Sequence, residues 1–272
     1  MVDLYTASSH DYLFFFTDTG KVYRKKGYQI PMAGKTARGT NIVNIIQVEQ
    51  GERVQTMIHT RELDREDLYL VMVTKNGTVK RLPVSALKNI RVSGIRALRL
   101  DEGDQLISVR ETDGKQNILI ATHDGMAVCF DENDVRPMGR EAVGVRGIKL
   151  REGDYVVGAA RAHAGKSVLS ITEKGYGKRT PVEEYSVHNR GGIGIKNYAV
   201  TDKTGGVVGI KVVGGEEDLL LVTQSGILIR TAVENIRETG RATQGVIVMR
   251  FKEEGDQVIS LALTEKEEET AE

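Results

Sequence analysis

Tryptophan is absent, cysteine occurs once, proline four times, and Phe and Tyr make up only 5 % of the 272 residues. The lone Cys129 excludes an internal disulfide, so nothing here calls for an oxidising compartment. With few aromatics, the stacking platforms that hold single strands and sugars are scarce. No apolar run is long enough to span a bilayer, and no hydrophobic signal segment follows Met1, which reads as cytoplasmic. Formal net charge is zero, which excludes a protein that is basic all round. Residues 265–272, EKEEETAE, nevertheless carry a net −4, so the other residues carry +4. An acidic tail on a mildly basic body fits a polyanion binder. A solvated tail that only aids solubility fits equally well.

Glycine is plentiful, at 30 residues, and its placement is periodic. Five times an apolar run meets a Gly turn and leaves in a second run: YLFFFTDTGKVYRK, LYLVMVTKNGTVKRL, ILIATHDGMAVCF, VLSITEKGYGKRT and LLLVTQSGILIRT. Turn pairs such as Asn76-Gly77 and Asp124-Gly125 between branched apolar residues are hairpin signatures, because glycine supplies positive φ cheaply. A second glycine follows each turn: Gly39, Gly94, Gly144, Gly192 and Gly245. Each is expected to open a further strand, TNIVNIIQV, IRALRL, VRGIKL, IGIKNYAV and VIVMRF. An acidic turn and a last strand close most units.

The period of about fifty residues, with roughly four strands per unit and no amphipathic helix, predicts an all-β, propeller-like array of about five four-stranded blades. The repeats span about 11–60, 67–112, 116–162, 166–213 and 217–264 within one domain, 1–264, followed by the tail at 265–272. Residues 2–8 match the closing strand of a repeat whose first half is missing, so the chain is expected to be part of a longer polypeptide.

Catalytic constellations are hard to find. Gly34-Lys35-Thr36 ends like a P-loop, but Gln29 stands where its first glycine belongs and no helix follows. The GGIG run at 191–194 is no dinucleotide fingerprint. The histidines at 10, 59, 123, 163 and 188 lack zinc-site spacing, and Cys129 sits in a core-like strand. No metal site and no catalytic residue are predicted.

What remains is basic charge placed by the repeat. After the hairpin turns come Lys21, Arg24, Lys25 and Lys26, then Lys80 and Arg81, Lys178 and Arg179, and Arg230; only the third unit lacks it, with Val128 and Cys129. Before the second glycines come Lys35, Arg38, Arg91, Arg140, Arg190 and Arg241, and Lys196 lies just beyond one. Units related by rotation repeat an offset on one edge, so these cations should form a belt. A basic belt without stacking residues suits a duplex backbone better than single strands. The competing reading is a protein-interaction propeller whose belt meets an acidic partner.

Several long stretches resemble the C-terminal DNA-wrapping domain of the bacterial DNA gyrase A subunit: HDYLFFFTDTGKVYRKKGYQIPMAGKTARGTNIVNII, KNGTVKR, VRPMGREAVGVRGIKL, EKGYGKRTPVEEY and GRATQGVIVMRF. The resemblance implies a β-pinwheel, whose blades exchange strands, and duplex DNA wrapped in a positive sense in the service of ATP-driven negative supercoiling. It implies partners in the rest of the A subunit and in the B subunit of an A2B2 enzyme near the nucleoid, with ATP and magnesium used elsewhere in that enzyme and no cofactor in this chain. The family usually has six blades, the first with a Gln-Arg-Arg-Gly-Gly-Lys-Gly box. Here His188, Asn189, Arg190, Gly191, Gly192, Ile193 and Gly194 form a degenerate copy in a later blade. The equivalent domain of topoisomerase IV is the near alternative.

Overall fold

The computed structural model describes residues 7–34 and 36–266. The first repeat holds three strands, β1 (Tyr12–Thr17), β2 (Lys21–Lys26) and β3 (Val54–Thr60). The second holds β4 (Tyr69–Thr74), β5 (Thr78–Pro83), β6 (Ile95–Arg96) and β7 (Leu106–Thr112). The third holds β8 (Asn117–Thr122), β9 (Met126–Asp131), β10 (Val145–Arg146) and β11 (Val156–Arg161). The fourth holds β12 (Ser167–Thr172), β13 (Tyr176–Pro181), β14 (Ile195–Lys196) and β15 (Val207–Val213). The fifth holds β16 (Glu217–Thr223), β17 (Leu228–Ala232), β18 (Val246–Ile247) and β19 (Val258–Glu265). Among the described residues the only helical pieces are short 3-10 turns, and no helix is long and apolar enough to cross a membrane.

The five hairpins form as the turn glycines predict, and the blades exchange strands. Each blade orders its own closing strand, its two hairpin strands, and then a short strand from the repeat that follows: β3-β1-β2-β6, β7-β4-β5-β10, β11-β8-β9-β14 and β15-β12-β13-β18. The fifth sheet, β17-β16-β19, has three strands. Blades 1 and 2 belong to one compact unit, residues 7–115 and 135–146; blades 3 to 5 belong to another, residues 116–134 and 147–266.

Two devices build the hairpins of the second and third repeats. A buried threonine ends the first strand, and its Oγ1 accepts the backbone N–H four residues on: Thr74 from Thr78 and Thr122 from Met126, both at 3.1 Å. The acidic turn of the same repeat then braces the hairpin turn, as Asp104 Oδ1 accepts from Asn76 N at 2.9 Å and Asp154 Oδ1 from Asp124 N at 3.0 Å. These carboxylates are spent on turns, which satisfies amides that would otherwise go unpaired.

The exchanged strands are shorter than expected. Only two residues pair, for instance Lys21 with Arg96 and Val22 with Ile95, before the chain bends across the neighbouring hairpin turn. There the amides of Ala97 and Leu98 both donate to Gly20 O, at 2.8 and 3.1 Å. A Cβ on Gly20 would lie 2.4 Å from Leu98 O, so only glycine admits this crossing. The expected strand at TNIVNIIQV does not form. Ile42–Asn44 is a 3-10 turn, and Ile42, Ile45, Ile46 and Val48 pack against Leu13, Phe15 and Tyr23 of blade 1 instead. Gly39 lacks the positive φ shared by Gly94, Gly144 and Gly245, and the described residues contain no earlier hairpin for this segment to join. Of the predicted strand at 2–8, residues 2–6 lie outside the described residues and Ala7 and Ser8 are not in a strand; of the tail, 267–272 lie outside them.

Candidate nucleic-acid interface

The second hairpin strand carries the first group of predicted cations, and the exchange decides their fate. Three residues after the turn glycine stand Lys80 and Lys178, both 0 % exposed. Lys80 Nζ donates to the carbonyls of Ala97 and Arg140 at 2.8 Å and of Ala142 at 3.0 Å. Lys178 Nζ donates to those of Gly240 at 2.9 Å, Thr243 at 3.2 Å, and Arg241. Desolvation pulls both amines down to about 8. These two lysines organise the loop that the next repeat lays across them and present no charge to solvent, which corrects the sequence reading of both as rim contacts.

One position further on, arginines clamp the end of the 3-10 turn in the following repeat. Arg24 Nη1 donates to Lys88 O at 2.5 Å, Arg81 Nη1 to Val135 O at 3.4 Å, and Arg179 Nε to Ile236 O at 2.7 Å. Arg81 is 4 % exposed and lies 3.8 Å from the centre of the Tyr69 ring, so it too is a structural residue. Cys129 holds this position in blade 3; it is buried, and burial pushes its thiol up to about 11. In blade 5 Arg230 pairs with Asp218 Oδ2 at 2.7 Å. Lys21 pairs with Glu49 at 2.7 Å, Lys26 Nζ lies 3.2 Å from the Tyr12 ring centre, and Lys25 is half-buried. Lys35 is outside the described residues.

The loops before the exchanged strands keep more charge at the surface. Arg38 and Arg91 are exposed. Arg140 and Arg241 are half-buried, and each reaches back to an exchanged strand, Arg140 Nη1 to Arg96 O at 3.2 Å and Arg241 Nη1 to Lys196 O at 2.8 Å. Lys196 is exposed on β14.

In the box-like loop, Arg190 Nε donates to Asp134 O at 3.0 Å and His188 N to Cys129 O at 2.9 Å, while Asn189 and Ile193 face solvent. Gly191 and Gly194 have positive φ, 84° in each case, and Gly192 does not. Gly194 is therefore the counterpart of Gly94, Gly144 and Gly245, where Gly192 was expected. A Cβ on Gly194 would sit 2.2 Å from Ala127 O, and one on Gly192 would meet open space but for Gly194 N at 3.9 Å.

With the register corrected, Lys196, already expected as a contact, falls into a row with cations that the sequence reading passes over. Two residues after the positive-φ glycine stand Arg96, Arg146 and Lys196, and five after it Arg99, Lys149 and Arg250, all exposed. The signal is G-[IV]-[RK] followed by a cation three residues on, and the misplaced glycine of the fourth repeat conceals it. These side chains stand on the outermost strand of blades 1 to 4 or just beyond it.

His123 is engaged on both ring nitrogens and on its ring face. Its ring stacks on Tyr155 at 4.7 Å, and its nitrogens meet Asp124 at 2.9 Å and Glu173 at 2.8 Å. Burial opposes the charged ring, but these two carboxylates raise its pKa. It joins the hairpin turns of blades 3 and 4.

The sequence pattern of the family described as DNA gyrase C-terminal domain, beta-propeller, matches residues 11–61, 68–113, 116–163, 166–214 and 217–265, one match per repeat. The chain belongs to this family. It is 48 % identical over 267 residues to the A subunit of DNA gyrase from Clostridium acetobutylicum, a match covering 98 % of the chain and 32 % of that relative. The chain thus spans about a third of the curated relative's length. Among solved structures, the C-terminal domain of DNA topoisomerase IV superposes with a TM-score of 0.86 at 28 % identity, covering 94 % of this chain and 80 % of that one. A DNA gyrase A C-terminal domain gives 0.81 at 28 % identity, covering 94 % and 83 %. The fold is thus shared by both kinds of domain.

Proposed function

We propose that this gyrase-type domain binds duplex DNA without sequence preference and bends it along the exposed outer strands of its blades. The observation that carries the reading is the repeated pair of solvent-facing cations, Arg96 with Arg99, Arg146 with Lys149, and Lys196 and Arg250 singly, on or just beyond the outermost strands. Lys and Arg neutralise phosphates and release counterions, which supplies affinity but no base reading. No cofactor is needed for that chemistry.

Bending the duplex costs about 1–6 kcal/mol per 20–30 base pairs by elastic estimates, so contacts must recur from blade to blade, and these recur on blades 1 to 4. The wrapped segment would serve negative supercoiling by a whole gyrase, with the remaining A subunit and the B subunit as partners and ATP and magnesium used there. The 48 % identity to a gyrase A subunit supports gyrase over topoisomerase IV, since the fold likeness is common to both.

Duplex binding measured across a salt series tests this. With six to ten phosphates contacted, affinity should fall about 10³–10⁵-fold between 50 and 200 mM salt. A flat response, or no binding at low salt, would reject the reading. Binding by the chain should also alter the linking number of relaxed closed circles sealed in its presence.

A further inference from the structure

Four arginines of the first unit line one open groove of about 670 Å³: Arg24 on β2, Arg91 in the loop before β6, Arg96 on β6, and Arg140 from the third repeat's loop. Asn89, Ser93 and the backbone at Gly94 complete the polar wall, and no carboxylate is among the described lining residues. Two of the guanidiniums are held in place from behind, Arg24 by Lys88 O at 2.5 Å and Arg140 by Arg96 O at 3.2 Å. Arg96 also meets Glu141 at the groove's margin, at 3.3 Å. A guanidinium offers five N–H donors, so the bonds that fix these side chains leave others for a ligand. Four like charges brought together by the fold form a preorganised anion site.

The fold alone does not produce this concentration. The corresponding groove of blade 3, about 180 Å³ beside β9 and β14, is lined by Cys129, Ser186, His188 and Asn189 with glycines and apolar residues, and by no arginine.

We propose that the Arg24–Arg91–Arg96–Arg140 groove binds contiguous phosphate groups, the chemistry shared by a DNA strand and by free inorganic polyphosphate. As a DNA site it rests on the function proposed above, and would be the point of tightest hold on the backbone. As an oligophosphate site it stands without that reading.

The test is calorimetric titration of the whole chain with inorganic tripolyphosphate and, separately, with a short duplex. An Arg91→Gln, Arg96→Gln double variant is compared with a Lys149→Gln, Arg250→Gln control; all four side chains are exposed, and unchanged thermal midpoints would verify the folds. Tripolyphosphate binding should weaken about tenfold or more in the groove variant and hold in the control, as expected for lost charge-assisted bonds. If duplex affinity falls more in the groove variant than in the control, the strand is a ligand of the site. If only tripolyphosphate binding falls, the site holds and its ligand is free oligophosphate. Wild-type chain that does not bind tripolyphosphate, or a groove variant that binds it equally well, overturns the proposal even where duplex binding is normal. Wild-type chain that binds tripolyphosphate but no duplex would count only against the DNA reading.

Discussion

The amine of Lys178 lies 2.9 Å from the carbonyl oxygen of Gly240, 62 residues later in the chain. The first residue sits on a hairpin of the fourth repeat and the second on a loop of the fifth. The bond, with its counterparts to Arg241 and Thr243, is therefore part of how one repeat holds the next. Replacing Lys178 by Met leaves half-buried carbonyls without their donor, at up to about 1–3 kcal/mol, the cost of an unsatisfied buried group. We expect Lys178→Met to lower the urea unfolding midpoint by that order while the chain still folds, because Val128 fills the same position in blade 3. A midpoint within error of the parent would show that the staple contributes nothing.

The same lysines set a pH dependence whose sign is opposite to an ordinary ion pair's. Burial brings Lys80 and Lys178 to about 8, against 10.5 for a free lysine. Below pH 8 both folded and unfolded chains hold these protons, and the difference in stability is flat. Between about 8 and 10.5 the unfolded chain binds more protons, so the free energy of unfolding rises with pH across that window. Relative to a Lys80→Met, Lys178→Met double variant, the parent should gain stability from pH 8 to 10. Parallel pH curves for the two proteins would contradict the depressed values.

The glycines of the box-like loop separate two registers. Gly194 has φ of 84° and no room for a Cβ, since Ala127 O would lie 2.2 Å away. Gly192 has neither restriction. Gly194→Ala should cost more than about 1 kcal/mol, from strain at positive φ plus the clash, whereas Gly192→Ala should stay within about 0.5 kcal/mol. Thermal midpoints of the two variants decide it; equal losses would return Gly192 to the repeat position.

Much of this architecture is legible because it is local. The T-x-x-G turn, with Thr74 or Thr122 closing onto its own hairpin, is written within five residues, whereas the brace from Asp104 or Asp154 to the hairpin turn spans 28 and 30 residues. The exchanged strands are not: two paired residues such as Ile195 and Lys196 leave almost no period to read, and which hairpin they join is a long-range fact. The burial of Lys80 escapes for the same reason, since its carbonyl partners lie up to 62 residues away. A lysine after a turn looks like surface until the next repeat is laid over it. Arg96 and Lys149 go unseen although Gly94 and Gly144 are counted correctly, because the miscounted Gly192 of the fourth repeat keeps Lys196 from lining up with Arg96 and Arg146.

The last prediction concerns His123, whose ring nitrogens meet Asp124 and Glu173, so that it ties the turns of blades 3 and 4 together. Its folded pKa is raised above 6.5, so its stabilising effect is fully present below about pH 6.5 and is lost as pH rises through the higher folded value. A His123→Gln variant retains a donor to one carboxylate but cannot carry the charge. It should be less stable than the parent by about 1 kcal/mol in mildly acidic buffer, with the gap narrowing as pH rises past the folded value. Thermal midpoints measured for both proteins at several pH values check this. A gap that widens with pH would mean that the ring acts in its neutral form, through stacking on Tyr155 alone.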